Sequence, residues 1–175
     1  MRRISVELAA GRSAFSVTVG SKRVSAKFPA GFTPLRTANG IAFPLRSVVE
    51  AAGGTVRFEK TQNSVYFALG PVMGAYDIGK RTLIDGVYAT STRKDLFRVA
   101  GKSGTLYATD AVLKSLVSQA GGTVAVTTKS GASTFVCQIP STVKDVLGAE
   151  HDSFPAKAGR MRVVTLAPNL CENCF

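Results

Sequence analysis

Two stretches of the sequence, LRSVVEAAGGTV at residues 45–56 and LKSLVSQAGGTV at residues 113–124, decide how the rest of the chain is interpreted. In both, apolar residues recur at positions i, i+3, i+4 and i+7, the pattern of one face of a short amphipathic helix. Both helices are predicted to end at a double glycine, because glycine adopts the left-handed conformation that closes a helix more easily than other residues. The chain therefore contains a predicted internal repeat.

Strands are predicted on both sides of each helix. After the first double glycine, residues 55–59 and 64–69 form a predicted hairpin, and residues 123–127 and 133–139 form its counterpart after the second. Another pair of alternating segments precedes each helix. Strands of period two with one helix per repeat predict an α+β fold, made of two βαβ-hairpin-type repeats in which antiparallel sheets pack on short helices.

The repeat divides the chain into four segments. Residues 1–12 are an N-terminal strand or extension, residues 13–72 and 73–140 are the two repeats, and residues 141–175 are an extended C-terminal tail. The tail belongs to neither repeat. Within it, a short helix is predicted at residues 141–148 and a strand at residues 161–166.

The charge of the chain is strongly positive. Lys and Arg number 22 against 11 Asp and Glu, which gives a formal net charge of +11 and favours anionic partners. The basic residues are scattered and few aromatic residues accompany them, which argues against nucleic acid. No stretch of the sequence reaches the roughly 20 apolar residues of a membrane span.

The N-terminus starts with two arginines and then alternates like a strand, without the continuous apolar run of a signal peptide. Two interpretations stay open: a cytosolic protein, or a mature extracellular or cell-surface chain whose leader has been removed.

The first repeat carries a recognisable set of short motifs: FPLR at residues 43–46, EAAGG at 50–54, VRFE at 56–59 and VYF at 65–67. Together they resemble the copper amine oxidase N-terminal-like (stalk) domain family, over about residues 13–139. The chain departs from that family in two ways. Phe58-Glu59 stands where Trp-Asp is usual, and the second repeat lacks the Pro-Leu-Arg triplet.

The resemblance implies a non-enzymatic domain that is secreted or attached to the cell surface. The stalk of those oxidases is remote from their copper, so the resemblance implies neither catalysis nor a cofactor. The residues agree with this expectation, since the sequence contains no paired-carboxylate signature and no nucleophile motif.

Cys171 and Cys174 form a CxxC motif near the end of the tail. A structural disulfide, within the tail or to a neighbouring chain, is the preferred interpretation for a surface protein, and exposed thiols are the alternative. A zinc site would need Cys137 and His151 as further ligands, but their spacing fits no standard finger. Redox catalysis is disfavoured because no helix follows the motif. Cys137 lies in an apolar strand and is predicted to be a small buried residue.

Two functional hypotheses follow from these observations. The first is a structural or adhesive module that forms homo-oligomers, filaments or a surface layer through terminal strands without internal partners. Its assembly candidates are Arg3, Ile4, Val6, Leu8, Met161, Val163, Val164 and Leu166. The second is a monomeric binding module for an anionic cell-wall polymer, which the net charge favours.

Overall fold

Antiparallel strands dominate the fold, and two short helices pack against them. The computed structural model describes residues 1–38, 40–85, 89–92, 96–98, 105–144 and 147–153. The helices are α1 (Leu45–Ala51) and α2 (Asp110–Gln119). The strands are β1 (Arg2–Ala9), β2 (Ala14–Val19), β3 (Lys22–Lys27), β4 (Leu35–Thr37), β5 (Gly40–Pro44), β6 (Thr55–Glu59), β7 (Ser64–Leu69), β8 (Val72–Asp77), β9 (Thr82–Asp85), β10 (Ala89–Thr92), β11 (Leu96–Arg98), β12 (Leu106–Thr109), β13 (Thr123–Lys129), β14 (Ala132–Ile139), β15 (Thr142–Lys144) and β16 (Glu150–Asp152).

The strands form three sheets and one separate hairpin. Sheet A has the order β13-β14-β1-β2-β3, sheet B the order β11-β12-β5-β4, and sheet C the order β10-β9-β8-β7-β6. Strands β15 and β16 pair only with each other. Every pairing among the described strands is antiparallel. The prediction of a sheet-rich α+β fold is confirmed.

Strand β1 lies in the middle of sheet A, and this corrects the prediction made for it. It pairs with β14 over its whole length, and with β2 on its other edge. Alternate side chains therefore enter the core, where Ile4, Val6 and Leu8 are almost fully buried, while Arg3 is exposed on the other face. The prediction that β1 lacks an internal partner is wrong, because both of its edges are hydrogen-bonded within the chain.

Both helices end at their double glycines in the same way. Gly53 and Gly121 have positive φ angles of 88° and 76°, and the following N–H groups of Gly54 and Gly122 each donate to a helix carbonyl at 2.8 Å. A Cβ on Gly54 would lie 2.7 Å from Val49 Cγ1, and the equivalent contact for Gly122 would be 2.8 Å. The first glycine of each pair is thus required by conformation, and the second by close packing.

The tail differs from its prediction. The predicted hairpins at residues 55–69 and 123–139 are present, but residues 142–144 and 150–152 form the β15–β16 hairpin instead of a helix at 141–148. β-Branched residues at 142 and 143 favour a strand. Ser153 fixes the end of the hairpin, because its N–H donates to Ser141 O and its hydroxyl to Pro140 O. Residues 161–166, Cys171 and Cys174 lie outside the described residues.

One hydrophobic core joins the sheets and helices. Residues from the inner faces of sheets A and C pack with the apolar faces of α1 and α2. Phe15 stacks on Phe28 at 4.2 Å between ring centroids, and Phe43 meets Phe135 edge to face at 5.5 Å. Each large apolar side chain buried here stabilises the fold by about 1.5–3 kcal/mol. In the part of the chain that the structure describes, no helix is long and apolar enough to cross a membrane.

Candidate functional site

The outer face of sheet A is polar and carries most of the sheet's charge. Strand alternation sends the apolar residues of β1, β2 and β14 inward, so the intervening polar residues point away from the core. The cations of this outer face are Arg3, Arg23, Lys27 and Lys129, all exposed. Its acidic residue on the central strand is Glu7, which is also exposed.

A shallow groove of about 590 Å³, called the basic groove here, crosses one end of this face. Its floor contains the small side chains of Ala9, Ala14 and Ala132. Ala132 is the strand partner of Ala9 on one side and of Lys129 on the other, while Ala14 is the partner of Lys27. Because strand partners point to the same face of a sheet, a row of alanines is flanked by lysines at both ends.

Arg12, Arg23 and Lys27 line the basic groove, and Glu7 is the acidic residue among its lining. Arg23 Nη2 donates to Glu7 Oε2 at 2.8 Å, and the Ser16 hydroxyl donates to the same oxygen at 3.2 Å. An exposed pair of this kind contributes at most about 1 kcal/mol to stability. The pair also determines the charge of the groove. The carboxylate charge of Glu7 is neutralised by Arg23, and the positive charges of Arg12 and Lys27 remain.

A further cation lies near the basic groove. Nη2 of Arg36 is 3.0 Å from the position that a Cβ would occupy on Gly131, at the tip of the β13–β14 hairpin. This places the guanidinium beside the turn that precedes Ala132, a residue of the groove floor. The positive charge at this end of sheet A thus comes from four different strands or turns.

A second concavity, of about 500 Å³, lies between the start of α1 and sheet C. It is lined mainly by apolar residues, among them Pro44, Val56 and Ile78. Phe58, the aromatic residue of the VRFE motif, borders it and is 48% exposed. Arg46 borders it too and forms a loose ion pair with Glu50, at 3.9 Å. The cleft offers apolar contact, but nothing in it selects one kind of ligand.

The third candidate is the free edge of β13. This strand is the outermost member of sheet A, and no strand among the described residues pairs with its outer edge. It has seven residues, TVAVTTK, of which only the last is charged. Val124 and Val126 are half-buried and pack against the core, so the inner face of the strand is fixed to the fold.

The structure describes only part of the cysteine and histidine set. Cys137 is buried in β14, as predicted, and burial raises the pKa of its thiol to about 11. The thiol is therefore protonated at neutral pH. His151 is exposed on β16, and the described residues contain no cluster of three or more His, Cys, Asp or Glu that could hold a metal. The disulfide and zinc hypotheses depend on Cys171 and Cys174 and stay predictions.

Comparison of the chain with protein-family models, with curated proteins and with solved structures finds no match in any of the three. The resemblance to the stalk-domain family therefore rests on sequence motifs alone, those of residues 43–67 and the linking residues 78–79 and 84–86.

Proposed function

We propose that this chain is a non-enzymatic structural module that acts outside the cell and assembles with copies of itself through the free edge of β13. The observation that carries the proposal is the open, almost uncharged seven-residue edge of a five-stranded sheet. Such an edge presents a row of unpaired N–H and C=O groups, to which an extended segment of another chain can add as a further strand.

Two other described edges, β3 and β6, are less suited to this role. β3, at the opposite side of sheet A, carries Lys22, Arg23 and Lys27 in six residues. Charges of this kind are a common device against edge-to-edge association. β6, at one edge of sheet C, has only five residues and carries Arg57 and Glu59. Charge and length thus favour β13 over both.

The proposed donor strand is residues 161–166, MRVVTL, of a neighbouring copy, with Met161, Val163, Val164 and Leu166 as its apolar residues. Ser153 is tied to Pro140 and Ser141, just past β14 and therefore at the Thr123 end of β13. From there, residues 154–160 can span at most about 25 Å. That reach is long enough for the donor strand to meet an adjacent molecule, and a head-to-tail contact repeated in this way produces an open filament.

The extracellular location and the two-repeat architecture belong to the same proposal. The equal hydrogen bonds and close glycine contacts at the ends of α1 and α2 support the interpretation of residues 13–72 and 73–140 as two copies of one unit. The stalk-domain motifs of residues 43–67 support a surface protein without catalytic activity.

Light scattering of the full-length protein, without reducing agent, tests the proposal. We expect species well above the 18.4 kDa of one chain, with a size that increases with concentration. In Val126→Lys, an inward-facing lysine on the edge strand should abolish assembly, because pairing would bury its charge. Val24→Lys, a half-buried site on β3, is the matched control and should still assemble. A full-length protein that is monomeric at every concentration contradicts the proposal.

A further inference from the structure

We propose that the basic groove of sheet A binds a phosphodiester polyanion that has no bases, the chemistry of an anionic cell-wall polymer. This inference goes beyond self-assembly, because it assigns a ligand to a surface that the free edge of β13 does not use. It rests on the arrangement of cations in the groove, on the shape of its floor and on the kinds of side chain that it lacks.

The cations of the groove are spread over a distance that suits a polymer with several negative charges better than a single anion. Lys129 on β13 and Lys27 on β3 flank the groove at the two outer strands of the sheet. Four inter-strand spacings separate them, which amounts to about 19 Å. Arg12 lies between these limits, in the β1–β2 turn, and Arg23 lies on β3, four residues before Lys27. Several phosphates of one extended polymer can therefore be neutralised at once.

The floor of the groove allows a polymer backbone to approach closely. Ala9, Ala14 and Ala132 keep it low, and the exposed hydroxyl of Ser25 adds a group that can donate to phosphate oxygens. The guanidinium of Arg12 offers the planar fork of donors that matches a phosphate group. The ion pair with Glu7 holds Arg23 in place and removes the repulsion that the carboxylate would exert on a polyanion.

Among the described residues that line the groove, no aromatic ring is exposed, and this separates the proposed ligand from nucleic acid. Phe15 is the aromatic residue that borders the groove, but it is buried and its ring stacks on Phe28. Sites for single-stranded nucleic acids usually offer aromatic side chains on which the bases stack. The basic groove offers charge without stacking, which suits a phosphodiester chain that carries no bases.

Binding of poly(glycerol phosphate) to the full-length protein tests the inference, in the Val126→Lys background so that assembly does not interfere. We expect the logarithm of the association constant to fall linearly with the logarithm of the salt concentration. The variant Arg12→Gln/Lys27→Gln should bind about ten-fold more weakly and lower the salt slope by about one to two, given one contact per cation. The matched control Lys60→Gln/Lys144→Gln removes the same charge from exposed sites outside the groove and should bind as the parent does.

The outcomes that overturn the inference are distinct from those of the assembly experiment. An equal loss in both double variants would mean that net charge alone is responsible. Tighter binding of single-stranded DNA with the same number of phosphates would mean that bases are recognised. A folded parent that binds neither polymer would also refute the inference, while the assembly of the full-length chain would stand as measured separately.

Discussion

Gly74 lies opposite Phe67 in the β7–β8 pair, and the aromatic ring covers the space that a side chain would need. The nearest atoms to a Cβ at this position are all ring carbons of Phe67. We expect Gly74→Ala to lower the free energy of unfolding by about 1–3 kcal/mol, because the buried ring has to move. Gly79→Ala is the control: its nearest atom would be 3.4 Å away, an ordinary contact. Urea unfolding of both variants measures the difference, and equal stabilities would contradict the role of the ring.

The Cys137 thiol gives stability a dependence on alkaline pH. Burial raises its pKa from the ordinary value of 9.0 to about 11 in the folded protein. Below pH 9 both states are protonated, and the contribution to stability is fully present. As the pH rises from about 9 to about 11, the unfolded thiol loses its proton while the folded thiol keeps it. The free energy of unfolding therefore falls, by about 2 kcal/mol over this window.

Chemical denaturation of the parent and of Cys137→Ala between pH 8 and pH 11 checks this. The variant is expected to lose less stability over the window than the parent does, whatever its stability at pH 8. Burial also raises the pKa of Tyr76 and of Tyr107, and these groups supply a decrease that both proteins share. Parallel curves for the two proteins would rule out the thiol as a source of the pH dependence.

At the scale of elements, β1 is expected to stabilise the fold as part of the hydrophobic core, and not to act as a terminal strand that pairs with another molecule. Leu8→Ala should cost about 2–5 kcal/mol of unfolding free energy, because it leaves a cavity between the sheet and the rest of the core. The adjacent Glu7→Ala removes an exposed ion pair and the hydrogen bond from Ser16, and should cost about 1 kcal/mol. Denaturant unfolding distinguishes the two, and small effects in both variants would indicate a dispensable strand.

The strands could be predicted from local pattern, but the partner of β1 could not. The alternation at residues 4–8 shows that one face of this strand is buried, yet the same alternation fits a strand within the sheet and a strand donated to a neighbour. The partner, β14, is adjacent to β1 in the sheet but far from it in the sequence, at residues 132–139. Pairing across such a separation is set by how the whole core closes, which no short window of sequence contains.

The tail and the basic groove also could not be predicted from short stretches of the sequence, for different reasons. Val143 and Leu147 are spaced as on a helix, but the segment is a hairpin in which β15 pairs with β16 and Ser153 bonds to Pro140 and Ser141. The net charge predicted an anionic partner but no location. The groove depends on Ala9, Ala14 and Ala132 lying side by side, and that requires the register of β1, β2 and β14.

At the scale of the whole molecule, the two halves of the chain interlock. Sheet A combines β1–β3 with β13–β14, and β5 pairs with β12 in sheet B. We expect residues 1–70 alone to show no cooperative unfolding, because β1 lacks β14 and β5 lacks β12 on one edge. Mixing with residues 71–175 should restore the circular dichroism and the unfolding transition of the intact chain. A first half that unfolds cooperatively by itself would show that the halves are independent.

The N-terminal amine of Met1 donates to Ser141 Oγ, so residues 140 positions apart in the chain meet at one end of sheet A. During synthesis β1 emerges first and β14 last among the strands of the three sheets. At 5–20 residues per second, β1 waits about 7–28 s for its partner. Long-range contacts of this kind also fold slowly once complete. For a protein exported as proposed here, that delay leaves sheet A without its β14 partner during passage through a translocation channel, and the sheet closes on the far side.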